Sequence, residues 1–342
     1  MRMRGWINTT LILVGFTTLL PGFLRSGQAG AHNAGVEDTS FAGEKLSEFR
    51  ISVDAGMVFV PVTVRRADGS FIKGLQQESF KVLENGEEQK MIFFTEEAVP
   101  VHIAMMLDAS GSVSSVWKII QRATARFLGY LSPDDNFSVV MFNSAAWQVM
   151  DWGNDADRVY EAMSSVDIKG GTRLWDSIHV VSTSAFNGIS GKKVMVLLSD
   201  GIDTSSRVSY EEAVRATVEN EISIYVTGVS GGDGNTSYSS ESVLSRLARD
   251  TGGRMFMVKK FDQIDAVYAE IAGELRNQYM LGYTPVNTAK DGSFRKIDVN
   301  VSVPDTFTER NVLSRFFSSI FERGASDIRV TARPGYYASK VK

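Results

Sequence analysis

Val101-His102-Ile103-Ala104-Met105-Met106-Leu107-Asp108-Ala109-Ser110-Gly111-Ser112 is the stretch on which the fold turns. Its first seven residues are almost continuously apolar, the composition of a strand buried on both faces of a parallel sheet. The run ends on the carboxylate of Asp108. Two hydroxyls, Ser110 and Ser112, follow at alternate positions in a turn that contains Gly111. Ser114 then opens a helical pattern in which Val116, Ile119, Ile120, Ala123, Phe127 and Leu131 share one face. Strand, polar turn and helix in that order begin an α/β unit, and the turn carries oxygen ligands only. Hard divalent cations such as Mg2+ take that ligand set, whereas softer metals prefer His and Cys.

The pattern continues toward the C-terminus. Phe137 to Phe142 reads as the next strand and Ala145 to Trp152 as a third, with a link of two residues that is too short for a parallel crossover, so these two run antiparallel. Helices over 155–166 and 173–186 flank the loop Lys169-Gly170-Gly171-Thr172. The apolar strand Lys193 to Leu198 follows and delivers Asp200-Gly201. Helix 209–219, strand Ile222 to Gly228, helix 240–251, strand 254–258 and helix 261–276 complete the region. The expected fold is α/β, a doubly wound and mostly parallel sheet with one antiparallel edge strand. Tracing chain direction from strand to helix places Asp108, Thr172 and Asp200 on one face, at the carboxyl ends of the strands, where open α/β sheets bind ligands. It places Val99 and Arg276 together at the opposite end. A segment whose ends meet can be inserted into another domain.

The flanks have the character of such a host. Ile51 to Val64 is rich in β formers, and Phe80 to Leu83 and Lys90 to Thr95 bracket Asn85-Gly86, a hairpin signal. Gln278 to Tyr283, Phe294 to Val303 and Ile328 to Ala332 are again strand-like. Together, residues 50–98 and 277–342 suffice for a small β-sandwich into which 99–276 is inserted. Between its last strands lies the stretch 310–323, in which Val312, Leu313, Phe316, Phe317, Ile320 and Phe321 fall on one helical face. That amphipathic helix is expected to pack on its own β domain, with docking to a partner or a membrane surface as the alternative.

At the N-terminus, Arg2 and Arg4 precede an apolar segment from about Leu11 to Leu24, and Ala29-Gly30-Ala31 offers small residues for cleavage. Residues 1–31 read as a signal peptide that exports the chain to the periplasm or beyond, or as a membrane anchor if uncleaved; 32–49 read as a linker. The 342 residues include no cysteine, which removes thiol catalysis and zinc–thiolate sites. The net charge of −4 becomes −7 without the three arginines of the first 31 residues, which argues against nucleic acid as a partner.

Asp108, Ser110, Ser112, Thr172 and Asp200 form one constellation. Asp-x-Ser-x-Ser, a Thr in a Gly-Gly-Thr loop and an Asp closing a later strand resemble the metal-ion-dependent adhesion site of von Willebrand factor type A domains, over roughly residues 99–276. A wider resemblance, carried by Phe80-Lys81-Val82-Leu83-Glu84-Asn85-Gly86, Gln278-Tyr279-Met280-Leu281-Gly282-Tyr283-Thr284-Pro285 and Arg333-Pro334-Gly335-Tyr336-Tyr337, is to secreted bacterial proteins with a type A domain set between β segments. The resemblance implies a divalent cation, Mg2+ or alternatively Mn2+ or Ca2+, held by the five oxygens, with an Asp or Glu of a partner protein completing the shell. Two carboxylates and three neutral hydroxyls bring a divalent ion to about neutrality and leave it a position for an incoming carboxylate.

The expected function is therefore an exported, cation-dependent protein-binding module and no enzyme. Alternatives are a structural or assembly subunit with a vestigial metal site, and a metal-assisted hydrolase. For the last, His32, His102 and His179 all lie away from the strand ends, and Asp203 is the one base candidate. Asp176 and Asp203 lie near the same face and read first as solvated loop acids, with support of the ligands from behind as the alternative.

Overall fold

The computed structural model describes residues 56–229, 238–304 and 328–338. The signal peptide, the linker and the amphipathic helix expected over 310–323 lie outside the described residues.

Four strands open the described chain: β1 (Val58–Arg66), β2 (Phe80–Glu84), β3 (Glu87–Gln89) and β4 (Met91–Thr95). The central region follows with β5 (Val101–Asp108), a 3-10 turn over Gly111–Val116, α1 (Trp117–Gly129), β6 (Asn136–Phe142), β7 (Ala146–Gly153), α2 (Asp157–Ser164), α3 (Leu174–Val180), β8 (Lys192–Ser199), α4 (Tyr210–Glu219), β9 (Ile222–Val229), α5 (Tyr238–Asp250), β10 (Met255–Val258) and α6 (Ile264–Arg276). Strands β11 (Tyr279–Tyr283), β12 (Phe294–Val301), β13 (Ile328–Ala332) and β14 (Gly335–Tyr337) close it.

The central sheet has the order β10-β9-β8-β5-β6-β7. Every pairing in it is parallel except β6 with β7, the expected antiparallel edge. Strand β5 shows why its sequence reads as it does. Val101, Ile103, Met105 and Leu107 enter the apolar layer shared with Phe127 of α1, Met163 of α2 and Ile271 of α6; Ala104 and Met106 enter the opposite layer with Ile178 of α3, Ala213 of α4 and Leu247 of α5. Both faces of the strand are covered, so neither face needs a polar residue until the strand ends.

The flanking strands form two four-stranded antiparallel sheets, β13-β1-β11-β4 and β14-β12-β2-β3. Val60, Val62 and Val64 of β1 and Leu281 of β11 face Phe80 and Val82 of β2 and Ile297 of β12 across one core, which makes the pair a sandwich. The Asn85-Gly86 turn has φ of 50° and 87°, the two positive values a two-residue hairpin needs. The strand that returns from it is Glu87–Gln89, shorter than the run expected. At Lys90 the chain changes sheets, and Met91–Thr95 pairs with β11 instead.

The central region is joined to the sandwich by buried polar contacts. Glu274, in the last turn of α6, is fully buried. It accepts hydrogen bonds from Arg65 of β1 (2.6 Å), Arg254 (3.0 Å) and the Tyr225 hydroxyl (3.2 Å). Gln278 carries the chain of contacts on, donating to Tyr225 Oη (3.1 Å) and to Thr63 Oγ1 of β1 (3.3 Å). Nearby, the buried Lys192 donates to the carbonyl of Leu275 at 2.7 Å, tying the foot of β8 to the end of α6.

Candidate metal centre

Asp108 is the last residue of β5 and has no exposed surface. Parallel pairing of β5 with β8 sets Leu107 beside Leu198, so the two strands deliver Asp108 and Asp200 to neighbouring strand ends. The Asp108 carboxylate accepts from the amide of Ser110 (2.9 Å) on one oxygen and from the hydroxyl of Ser199 (3.0 Å) on the other. Ser110 and Ser112 share a hydrogen bond between their hydroxyls, 3.0 Å long. The loop 168–173 lies against this turn: Lys169 N donates to Ala109 O (3.0 Å) and Gly111 N to Gly170 O (3.4 Å). Thr172 follows directly and is 4 % exposed, as is Ser110; Asp200 is 5 % exposed, and its carboxylate accepts from Ile202 N at 3.0 Å. All five residues singled out in the sequence thus lie on the three adjoining loops at one end of the sheet.

The charge at this end is one-sided. Burial pushes the Asp108 carboxyl up from 3.8 to about 6; hydrogen bonds from Ser110 oppose that, and the neighbouring Asp200 adds to it. Among the described residues neither Asp108 nor Asp200 forms an ion pair, and Arg173, close by in the sequence, reaches Asp176 instead at 4.0 Å. A carboxylate buried as Asp108 is, with a second carboxylate beside it and no cationic side chain paired to it, is costly to keep ionised. A divalent cation removes that cost, and the donor set suits one: carboxylate and hydroxyl oxygens, with neither sulfur nor imidazole. Among the described residues no three His, Asp or Glu side chains gather as a metal-binding group, so a cation at this end of the sheet would have to draw on hydroxyls as well as the two carboxylates.

Asp176 and Asp203, read first as solvated loop acids and otherwise as supports behind the ligands, serve the loops. Asp203 accepts from Leu174 N (2.7 Å) and the Ser206 hydroxyl (2.6 Å) on one oxygen and from Ser206 N (3.2 Å) on the other. Asp176 accepts from Arg207 N and Val208 N, each at 2.8 Å. Both therefore fasten the loop after Asp200 to the start of α3. Ser199 was not singled out in the sequence. Its hydroxyl donates to Asp108 and accepts from Gly201 N (3.1 Å), but a Ser at the end of an apolar strand gives no sign of a partner 91 residues away.

Residues 102–270 match the family model of the von Willebrand factor type A domain. The chain carries a domain of that family. Among solved structures it is similar to BatB from Bacteroides thetaiotaomicron (19 % identity, TM-score 0.43, 51 % of this chain and 98 % of that one). It is also similar to a von Willebrand factor type A protein from Catenulispora acidiphila (15 %, 0.46, 65 % and 50 %). A third is proximal thread matrix protein 1 from the mussel byssus, with a zinc-occupied MIDAS motif (20 %, 0.46, 55 % and 48 %). The chain thus spans about half the length of the last two. Curated proteins include no match to the chain.

Proposed function

We propose that this chain is an exported protein-binding module whose type A domain captures an acidic group of a partner through a divalent cation. Asp108, Ser110, Ser112, Thr172 and Asp200 would hold the ion, Mg2+ first and Mn2+ or Ca2+ next, and an Asp or Glu carboxylate of the partner would complete its shell. The observation that carries this reading is the pair of buried carboxylates, Asp108 and Asp200, set among hydroxyls with no ion pair among the described residues. Neutral Ser and Thr ligands leave the ion electrophilic enough to attract a further anion.

The same loops give little support to catalysis. A hydrolase needs a base beside the metal, and Asp203 spends both oxygens on the 203–206 turn and the start of α3. Export rests on the sequence of residues 1–31; no helix among the described residues is long and apolar enough to cross a membrane.

Binding to arrayed peptides tests the proposal. Peptides that differ only by Asp or Glu against Asn or Gln are presented in Mg2+ and again with chelator. Retention that needs both the acid and the cation is the expected result. Retention indifferent to chelator contradicts it and favours the assembly-subunit reading.

A further inference from the structure

We infer that Thr204 is a positioning residue for the metal centre, the clamp that fixes Thr172 in the site. The inference rests on the function proposed above and concerns a residue that is itself no ligand. Three hydrogen bonds join the two threonines. Thr172 N donates to Thr204 Oγ1, Thr204 Oγ1 donates to Thr172 O, and Thr204 N donates to the same carbonyl, each at 2.9 Å. Thr204 thus holds both backbone polar groups of Thr172, and its hydroxyl is used once as donor and once as acceptor.

The neighbouring glycine has a reason in this contact. A Cβ on Gly171 would lie 2.8 Å from Thr204 Oγ1, closer than side-chain carbons approach oxygen, so the hydroxyl can reach Thr172 because residue 171 has no side chain. The Gly-Gly-Thr loop therefore carries two demands. Gly170 supplies a φ of 86°, and Gly171 supplies room for a residue 33 positions further on.

The remaining anchors of the two loops show why this one matters. Residues 169 and 170 are fastened to the Asp108 turn, and Leu174 N to Asp203. Between these attachments Arg173 N donates to Asn143 O at 2.7 Å, while among the described residues every hydrogen bond to the backbone of Thr172 itself involves Thr204, which lies four residues beyond Asp200. The clamp therefore sets the second loop's hydroxyl ligand in register with the third loop's carboxylate. Ligand sites tolerate errors of only about half an ångström before affinity falls.

The test uses the full-length protein and the variants Thr204→Val, which keeps the shape and loses the hydroxyl, and Thr204→Ser, which keeps the hydroxyl. Binding of Mg2+ and Mn2+ is measured by calorimetry, the melting temperature is measured in chelator, and exchange of the Thr172 amide is followed by NMR. Thr204→Val is expected to weaken metal binding about tenfold, through the loss of the two hydrogen bonds that the hydroxyl makes to Thr172. Thr204→Ser should restore wild-type affinity. The Thr172 amide should be protected in the wild type and in Thr204→Ser and exposed in Thr204→Val. Equal affinity in wild type and Thr204→Val overturns the inference while leaving the metal site intact, and so does an unprotected Thr172 amide in the wild type. A fall in the metal-free melting temperature that accounts for the whole affinity change, without rescue by Ser, also overturns it. Absence of metal binding in the wild type overturns the proposed function, and the positioning role with it.

Discussion

Asp108 contains the energetic argument in one side chain. A carboxyl moved from 3.8 to about 6 costs about 3 kcal/mol to keep ionised at neutral pH. The sign follows from proton binding. The folded, metal-free protein holds this proton more tightly than the unfolded chain, so the contribution to stability is greatest below about pH 4 and is lost as pH rises through about 6. Asp108→Asn removes the charge and keeps an oxygen for Ser110 N, so it should stabilise the metal-free protein at pH 7 by about 1–3 kcal/mol, measured by urea unfolding in chelator. A destabilised variant would contradict that account of the site. That the five candidate residues come to one end of the sheet was legible because each is an oxygen at the end of an apolar strand or in a Gly-rich turn, a context that short-range sequence shows. Ser199 and Thr204 were not legible, because their partners Asp108 and Thr172 stand 91 and 32 residues away and hydroxyls in polar loops have no periodicity.

Elements were readable to the degree that burial constrained them. Strands β5, β8 and β9 are covered on both faces, and continuous apolar runs report that condition directly. The antiparallel course of β7 followed from link length alone. Where side chains answer to something other than the core, the pattern misleads. The helix expected over 173–186 is α-helical to Val180 and then widens into a π-turn over Val181–Ala185. There Ser182 shares a 2.9 Å hydrogen bond with Thr217, and Thr183 donates back to His179 O at 2.9 Å, contacts that compete with regular helix geometry. Strand β3 was hidden for a different reason. Glu87 and Glu88 are exposed and only Gln89 is buried, so composition marks no strand. Its pairing with β2 follows from the Asn85-Gly86 turn.

Across the whole molecule the insertion is held by charge as well as by chain connection. Glu274 gathers Arg65 from the sandwich and Arg254 and Tyr225 from the type A domain, and removing it leaves the two guanidinium groups to share the exposed Glu270, which already pairs with both. Glu274→Ala should lower the unfolding free energy by about 2–3 kcal/mol in urea, the buried hydrogen bonds to charge being lost while Glu270 still faces both arginines. A loss below about 1 kcal/mol would show that the network does not hold the two parts together. Meeting ends at Val99 and Arg276 announced the insertion, but the network did not show in the sequence, since Arg65 and Glu274 are 209 residues apart. The central claim is that the strand-end loops hold a divalent cation, and thermal unfolding with added metal tests it most directly. Mg2+ or Mn2+ at about 100 times its dissociation constant should stabilise the wild type by about 2.7 kcal/mol, and Asp108→Ala should show no gain. A wild type whose melting temperature does not move with metal, or an Asp108→Ala protein that gains as much as the wild type, would contradict the account.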